Sequence, residues 1–408
     1  MKFAYSLISF FLLAVSILHA QPLNVPVRAE KAILYNPENG AILYEKKAND
    51  PHNPASLTKV ATALFLLDHV RPDMEKICVA SKLALQVIHA DIRQRDIFKY
   101  PPYILEHDGT MMGLAEGDAY PFEMLLHALI LTSSNDAANV LAETSHGTIE
   151  SFMEELNEYL LSKGIVHSRF QNPSGFYHPG QWTTAHEMAK LAGMGLQNSA
   201  FRKVISTRVY DKNPDEIITN YNRMMKEGKF SYEKVIGGKT GYLASAGYNL
   251  VIAAEDRGRT LVATLLGCKK SDHRYEDAIS LFEAAFSEPQ VTRCLFSEGA
   301  EFTREIPKRE EPLKAYLKEK MEASYFPAEE GKMEGKIHWN TLQLPIRKGE
   351  EVGKLIVTDE RGNQVTSCPV LAAEGIKGGF PVLKVILGVL LLAGVAFVAM
   401  ARKRKRVR

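Results

Sequence analysis

Apolar positions recur along this chain of 408 residues at two periods, close to two and close to 3.6, and the switches between them mark its elements. KAILYNPENGAILYEKKAN, residues 31–49, holds two alternating runs around Asn36, Pro37, Asn39 and Gly40, which predicts a β-hairpin. PASLTKVATALFLLDHV follows. Pro54 and Ser56 mark a helix start there, and Val60, Ala63, Leu64 and Leu67 form one apolar stripe. FEMLLHALILTSSNDAANVLAET predicts a buried helix interrupted near residues 132–136 by successive polar residues. Each hydroxyl or amide inside an apolar element must find a partner, so the interruption points to use. Helical periods continue through SFMEELNEYLLSKG and TTAHEMAKLAGMGL, a strand pair is expected over 235–267, and DAISLFEAAFSE is helical again.

From about residue 288 to 376 the text becomes charged, with short runs such as KLIVTD between turns at Lys348-Gly349 and Arg361-Gly362-Asn363. This predicts a small β-rich domain behind an α+β domain spanning about 25–287. Within it, EPLKAYLKEKMEASY also fits a helix by its period. The ends differ again. MKFAYSLISFFLLAVSILHA, residues 1–20, has the charged start, apolar run and small closing residue of a secretory signal peptide. Residues 382–401 contain VLKVILGVLLLAGVAFVAM, long enough to cross a bilayer as a helix, with Lys384 placed to snorkel. The basic residues 402–408 should stay cytoplasmic, so the expectation is an ectodomain on a single C-terminal span.

The formal net charge is +2, and removing the six basic residues of 402–408 leaves −4 for the remainder. No surplus attracts nucleic acid. Cys78, Cys268, Cys294 and Cys368 lack C-x-x-C spacing, and export permits disulfides without selecting a pairing. HEMAK at 186–190 lacks the second histidine of H-E-x-x-H, so no metal site is expected and the segment is taken as helix surface. VIGGKTGY at 235–242 looks like the end of a phosphate-binding loop. That loop needs a glycine where Glu233 stands and a helix afterwards, whereas GYLASAGYNLVIAAE continues as strands. No cofactor follows from it.

Three clusters carry the candidate chemistry. In Ser56-Leu57-Thr58-Lys59 the hydroxyl and amine share a helical face three residues apart. A serine needs a base to become a nucleophile, and a lysine serves only if burial and a neighbouring positive charge, such as Lys239, lower its pKa. Ser133-Ser134-Asn135 offers a hydroxyl and a carboxamide to a cleft. Lys239-Thr240-Gly241 sits on a strand, where Gly241 lets a ligand backbone approach. The clusters follow one another at intervals of 77 and then 104 residues.

S-x-x-K, S-x-N and K-T-G in this order are the motifs of serine penicillin-recognising enzymes. PASLTK, SSNDAANVLAE, NPSGFYHPGQWTTAHEMA and GGKTGYLASAGYNLV closely resemble the low-molecular-mass D-alanyl-D-alanine carboxypeptidases of bacterial cell walls. LQLPIRKGEEVGKLIV is similar to part of that family's small β domain. The resemblance implies a β-lactamase/transpeptidase-like α+β fold over 25–287, the β-rich domain at 288–376 and a C-terminal membrane attachment. It also implies Ser56 as nucleophile toward the D-Ala-D-Ala carbonyl of peptidoglycan stem peptides, Lys59 as base and Ser133 as proton carrier to the leaving amine. Asn135 would hold the substrate amide, and the Ser56 and Tyr242 N–H groups the oxyanion. Lys239, Thr240 and Arg274 would grip the terminal carboxylate, while Asp136 and Asn157 match structural positions.

Departures from the family pattern matter too. Residues 82–109 are longer and more aromatic than expected and are placed at the cleft rim. Tyr242 stands where some relatives carry histidine. Endopeptidase or transpeptidase activity on the same substrate stays open, as do a β-lactamase and a non-catalytic envelope scaffold. The lactamase reading lacks its deacylating glutamate, because Arg169, Gln171, Asn172, Pro173 and Ser174 occupy the relevant loop and Glu154 and Glu155 lie on an earlier helix. β-Lactams should therefore acylate Ser56 and leave slowly.

Overall fold

The computed structural model describes residues 13–14, 21–212, 217–307 and 309–378. The apolar run at 382–401, the basic segment 402–408 and nearly all of the expected leader lie outside the described residues. Among the described residues no helix is long and apolar enough to cross a membrane. The described residues divide into two compact units, one formed by residues 21–290 with Phe326–Glu330, the other by residues 13–14, Val291–Tyr325 and residues 331–378.

The first unit is built on an antiparallel sheet of β1 (Lys31–Tyr35), β2 (Ile42–Lys46), β3 (Val235–Leu243), β4 (Gly247–Asp256) and β5 (Arg259–Cys268), in the order β3–β4–β5–β1–β2. The stretch 235–267 is thus three strands rather than a pair. Arg257 and Gly258, at φ of 51° and 76°, turn the chain after Asp256 and return it beside β4. The continuous apolar run TLVATLL hides this turn's effect in sequence, because a strand covered on both faces lacks alternation. Both faces are indeed covered. Ile33, Tyr35, Val251, Ala253, Val262 and Leu266 face one core, and Ala32, Leu34, Leu250, Ile252, Leu261 and Leu265 face another.

The first core is closed by helices α1 (Thr58–Phe65), α2 (Phe122–His127), α3 (Asn135–His146), α4 (Ile149–Ser162), α5 (Ala185–Gln197) and α6 (Ser199–Ser206). The second is closed by α7 (Ser271–Phe286), through Ala278, Leu281, Phe282 and Ala285. The HEMAK segment on α5 is not helix surface. Glu187 is buried and accepts hydrogen bonds from Val166 N and His167 N, both at 2.8 Å, and from Ser168 Oγ at 2.6 Å. A carboxylate that satisfies two loop amides explains its burial.

The second unit contains β6 (Val291–Phe296), β7 (Glu301–Arg304), β8 (Leu313–Leu317), β9 (Met321–Tyr325), β10 (Glu334–Trp339), β11 (Glu351–Thr358) and β12 (Gln364–Ala372). One antiparallel sheet runs β10–β11–β12–β8–β7, and β6 pairs with β9. The helix that EPLKAYLKEKMEASY admitted is therefore a pair of strands. Leu313, Ala315 and Leu317, then Met321 and Ala323, are buried at every second position, which satisfies a sheet face and would scatter around a helix.

Arg259 on β5 is a strong structural point of the first unit. Its guanidinium lies 2.7 Å from Glu329, 3.5 Å from Glu288 and 3.8 Å from the centre of the Phe326 ring, and it donates to Ala285 O. Arg259→Met strands two largely buried carboxylates. We expect it to lower unfolding stability by about 3–5 kcal/mol in urea titrations, with part of the loss recovered when Glu329→Gln is added.

Candidate active site

Ser56 sits in a 3-10 turn, Ala55–Leu57, that leads into α1. Ala55 is held at φ 49°, a conformation an L-residue adopts only when its surroundings impose it. Those surroundings are Gly175 and Gly241. A Cβ on Gly175, which has φ 95°, would lie 2.0 Å from Ala55 O, and one on Gly241 would lie 3.2 Å from both Ala55 Cβ and Ser56 N. Two glycines from distant segments thus let backbone close directly on the serine turn. Asn172 shapes the first of these segments by accepting from Gly175 N at 2.6 Å and Phe176 N at 3.0 Å.

This loop turns the Ser174 carbonyl onto Lys59. The Lys59 amine, fully buried one turn after Ser56, lies 2.6 Å from Ser174 O, 2.7 Å from Asn135 Oδ1 and 3.2 Å from Ser56 Oγ. The first two partners are acceptors only, so they take two N–H bonds whatever the charge. The third position faces Ser56. As an ammonium, Lys59 donates its last proton there; as an amine, it turns its lone pair to the serine hydroxyl. Burial, and then the positive charge of Lys239, hold the Lys59 pKa well below the usual lysine value, with Asp136 opposing them. The geometry and the electrostatics therefore favour a base aimed at a nucleophile.

The second cluster arises where the predicted interruption falls. After α2 the chain passes through a wider π turn, Ala128–Thr132, and Ser133 takes φ 67° before α3 begins at Asn135. Such π turns interrupt the helical register locally. Among the described residues the Ser133 hydroxyl has no protein partner, so it is available to a ligand. Asn135 is fixed by its N–H to Thr110 O at 2.9 Å, and a Cβ on Gly109 would meet its Nδ2 at 3.0 Å. The end of the long 82–109 segment thus abuts the site. Asp136 accepts from the N–H groups of Met112, Gly113 and Leu114 and fastens the continuation of that segment to α3. Asn157 braces Phe170 from both its N–H and its carbonyl.

The third cluster lies on β3, the edge strand. Gly237 and Gly238 are there for packing: a Cβ on either would fall 2.1 Å from Ile205 O or 2.2 Å from Val251 O. Lys239 is buried and donates to Thr240 O at 2.9 Å. Burial, with the Arg274 charge second, lowers its pKa to about 7. Thr240 is half-buried, and the Tyr242 ring is exposed and stacks on Tyr248 at 4.4 Å between ring centres. Arg274, on α7, is buried beneath the strand and donates to Gly241 O and Asn249 O, both at 3.1 Å.

Residue patterns alone missed the Ser174 carbonyl and the two glycine contacts at Ala55. A backbone acceptor has no side-chain signature, and the only signal was the turn composition of Asn172-Pro173-Ser174-Gly175. Gly175→Ala tests this contact. The added methyl must displace Ala55, and with it Ser56, so acylation of Ser56 by an activated thioester should slow about 100-fold, as read by mass spectrometry over time.

Comparison with known proteins adds an independent line. The family model described as D-alanyl-D-alanine carboxypeptidase, Peptidase_S11, matches residues 18–270. The chain is 27% identical over 365 residues to the D-alanyl-D-alanine carboxypeptidase DacF of Bacillus subtilis, covering 86% of each protein. It is 26% identical to DacC of Escherichia coli, covering 87% of this chain and 86% of that one. Among solved structures, the D-alanyl-D-alanine carboxypeptidase DacD of Francisella tularensis matches with a TM-score of 0.60 at 22% identity, over 89% of this chain and 97% of that chain, which establishes a shared fold. A family model that spans the three clusters through Lys239 and Thr240, on a fold that joins them at one buried amine, places this chain in the D-alanyl-D-alanine carboxypeptidase family, Peptidase_S11.

Proposed function

We propose that the chain is a serine D-alanyl-D-alanine carboxypeptidase that removes the terminal D-alanine from peptidoglycan stem pentapeptides. The observation that carries this reading is the approach of the Lys59 amine to the Ser56 hydroxyl, 3.2 Å, with its other two bonds committed to carbonyl oxygens. Lys59 takes the Ser56 proton as Oγ attacks the carbonyl between the two D-alanines. The Ser56 and Tyr242 N–H groups receive the oxyanion, and the first is free for this because the opening turn of a helix leaves its N–H groups without helical partners. Ser133 relays the proton to the departing D-alanine amine. Asn135 orients the substrate amide through Nδ2, and Lys239 with the Thr240 hydroxyl binds the terminal carboxylate. Water then cleaves the Ser56 ester.

The same apparatus accepts a penicillin ring. Residues 169–181 carry no carboxylate to drive hydrolysis of the resulting ester, and Glu154 and Glu155 are exposed on α4. The adduct should persist. The apolar run at 382–401 and its basic flank support a single C-terminal span, with the catalytic unit on the outer face of the bacterial cytoplasmic membrane.

The first test is incubation of the purified ectodomain with a stem pentapeptide ending in D-Ala-D-Ala, followed by mass spectrometry. Loss of one D-alanine, abolished by Ser56→Ala, is expected. Cross-linked or internally cut products would assign transpeptidase or endopeptidase activity instead, and identical inert behaviour of both proteins would leave a scaffold. Fluorescent penicillin should label Ser56 and leave over minutes or longer; release within seconds would favour a lactamase.

The pH profile follows from the two lysines. At low pH Lys59 is protonated and loses the lone pair that accepts the serine proton, so kcat/KM falls. Above about 7 the free enzyme's Lys239 loses the charge that meets the carboxylate, so KM rises. Lys239→Arg keeps that charge. It should move the alkaline limb upward while the acid limb remains, as measured by initial rates across pH.

A further inference from the structure

We propose that His52, while neutral, is a positioning residue for the acylation of Ser56: it ties the turn between β3 and β4 to the segment that enters the serine turn, and taking up a proton breaks the tie. This rests on the carboxypeptidase reading, through Ser56 as its nucleophile. The backbone of His52 is fixed first, by a two-way pair with Thr183 in which each N–H donates to the other's carbonyl, at 2.8 and 2.9 Å. From that anchor both ring nitrogens reach a partner. Nδ1 lies 3.1 Å from Lys31 Nζ at the start of β1, and Nε2 lies 2.9 Å from Ala246 O in the turn between β3 and β4. A carbonyl only accepts and an ammonium only donates. The two contacts therefore select one tautomer, with the proton on Nε2 and the lone pair of Nδ1 facing Lys31.

The tie joins the two backbone segments whose N–H groups receive the oxyanion, because His52 stands four residues before Ser56 and Ala246 four residues after Tyr242. Asn249 on β4 forms a second crossbar beside it. Its Nδ2 donates to Asn53 O at 3.0 Å and Pro54 O at 3.3 Å, while its Oδ1 accepts from Gly267 N at 2.9 Å. Gly267, at φ 73°, leaves room for the ring: a Cβ there would lie 3.3 Å from His52 Cε1 and 2.7 Å from Glu30 Oε2. A second ring proton would set an N–H on Nδ1 against the Lys31 ammonium, two donors of like charge. Lys31 is buried and has little room to withdraw, so the ring turns and Ala246 O is released. Burial is the chief cause that holds the His52 pKa below the usual histidine value; the Ala246 bond opposes it, Lys31 adds to it, and Glu30 and Asn249 oppose it more weakly. The charged groups acting on the ring are thus Lys31 and, just before it, Glu30. The tie is complete at neutral pH and is lost as pH falls through that lowered value.

The test follows acylation of Ser56 by an acyl-D-alanyl thioester with an uncharged leaving group, read by mass spectrometry across the pH range in which circular dichroism is constant. His52→Ala removes the tie and should slow acylation at neutral pH by about 10- to 100-fold, the scale of a small misplacement of reacting groups. His52→Gln keeps it without titrating, since the amide oxygen accepts from Lys31 and the amide nitrogen donates to Ala246 O. This variant should acylate close to the wild-type rate at neutral pH. At acid pH the wild type should drop below His52→Gln by the factor that separates His52→Ala from wild type at neutral pH, because only the wild type then loses the tie. A His52→Gln profile that follows wild type at every pH overturns the proposal, as does a wild-type neutral rate in His52→Ala. So does a His52→Gln as slow as His52→Ala throughout, since its donor and acceptor match those of the neutral ring. Should His52→Ala fail to fold, the divergence of wild type from His52→Gln at acid pH decides alone. Wild-type release of D-alanine from the pentapeptide reports separately on the carboxypeptidase reading, since thioester acylation does not require it.

Discussion

The site depends on a lysine amine buried among two carbonyl oxygens and one hydroxyl. An ammonium in that position has lost its water and gains only partial compensation from Ser174 O, Asn135 Oδ1 and Asp136, with the charge of Lys239 set against it. The neutral form escapes both penalties, and its lone pair has one direction left, toward Ser56. Much of the surrounding structure serves to keep those neighbours in place. Asn172 and Gly175 turn the Ser174 carbonyl inward, the π turn and the φ of 67° at Ser133 set Asn135 at a helix start, and Thr110 O fixes its backbone. Each is a local conformational cost accepted at the point where three segments meet.

A second layer of charge sits behind the first. Burial, with the Arg274 charge second, lowers the pKa of Lys239, and burial, with the Lys239 charge second, lowers that of Lys59, so neighbouring positive charges add to desolvation along a line from the sheet to the nucleophile. Among the described residues the side chain hydrogen-bonded to Ser56 Oγ is that of Lys59, not a histidine or a carboxylate. Base strength at the serine is therefore a property of the assembled unit. The same arrangement leaves a positive group for an anionic substrate end and keeps a neutral one for proton transfer, two roles that a single lysine could not fill at one pH.

Much of this was legible in the residue pattern, and the parts that were not have common causes. The S-x-x-K, S-x-N and K-T-G clusters announced themselves through side chains, and the polar break at 132–136 marked a buried helix that could not continue. The Glu233 test correctly separated GGKT from a phosphate loop, and the structure supplies the reason for its glycines in their contacts with Ile205 O and Val251 O. What stayed hidden was backbone: the Ser174 carbonyl, the close approach of Gly175 and Gly241 to Ala55, and the carbonyls held by Arg274. The third strand, Arg259–Cys268, was obscured because burial on two faces erases alternation. Glu187 and the Leu313–Tyr325 strands misled for a related reason, since a helix-compatible spacing does not reveal what covers each face.

The most direct measurement is the titration of Lys59 itself, by carbon NMR of ectodomain labelled with 13C at the lysine side chains, with Lys59→Ala to assign the resonance. The account predicts a Lys59 signal in the neutral-amine position at mildly alkaline pH, titrating well below ordinary lysines, and moving back toward them when Lys239 is replaced by methionine. A Lys59 that titrates with the surface lysines, unaffected by Lys239, would contradict the account.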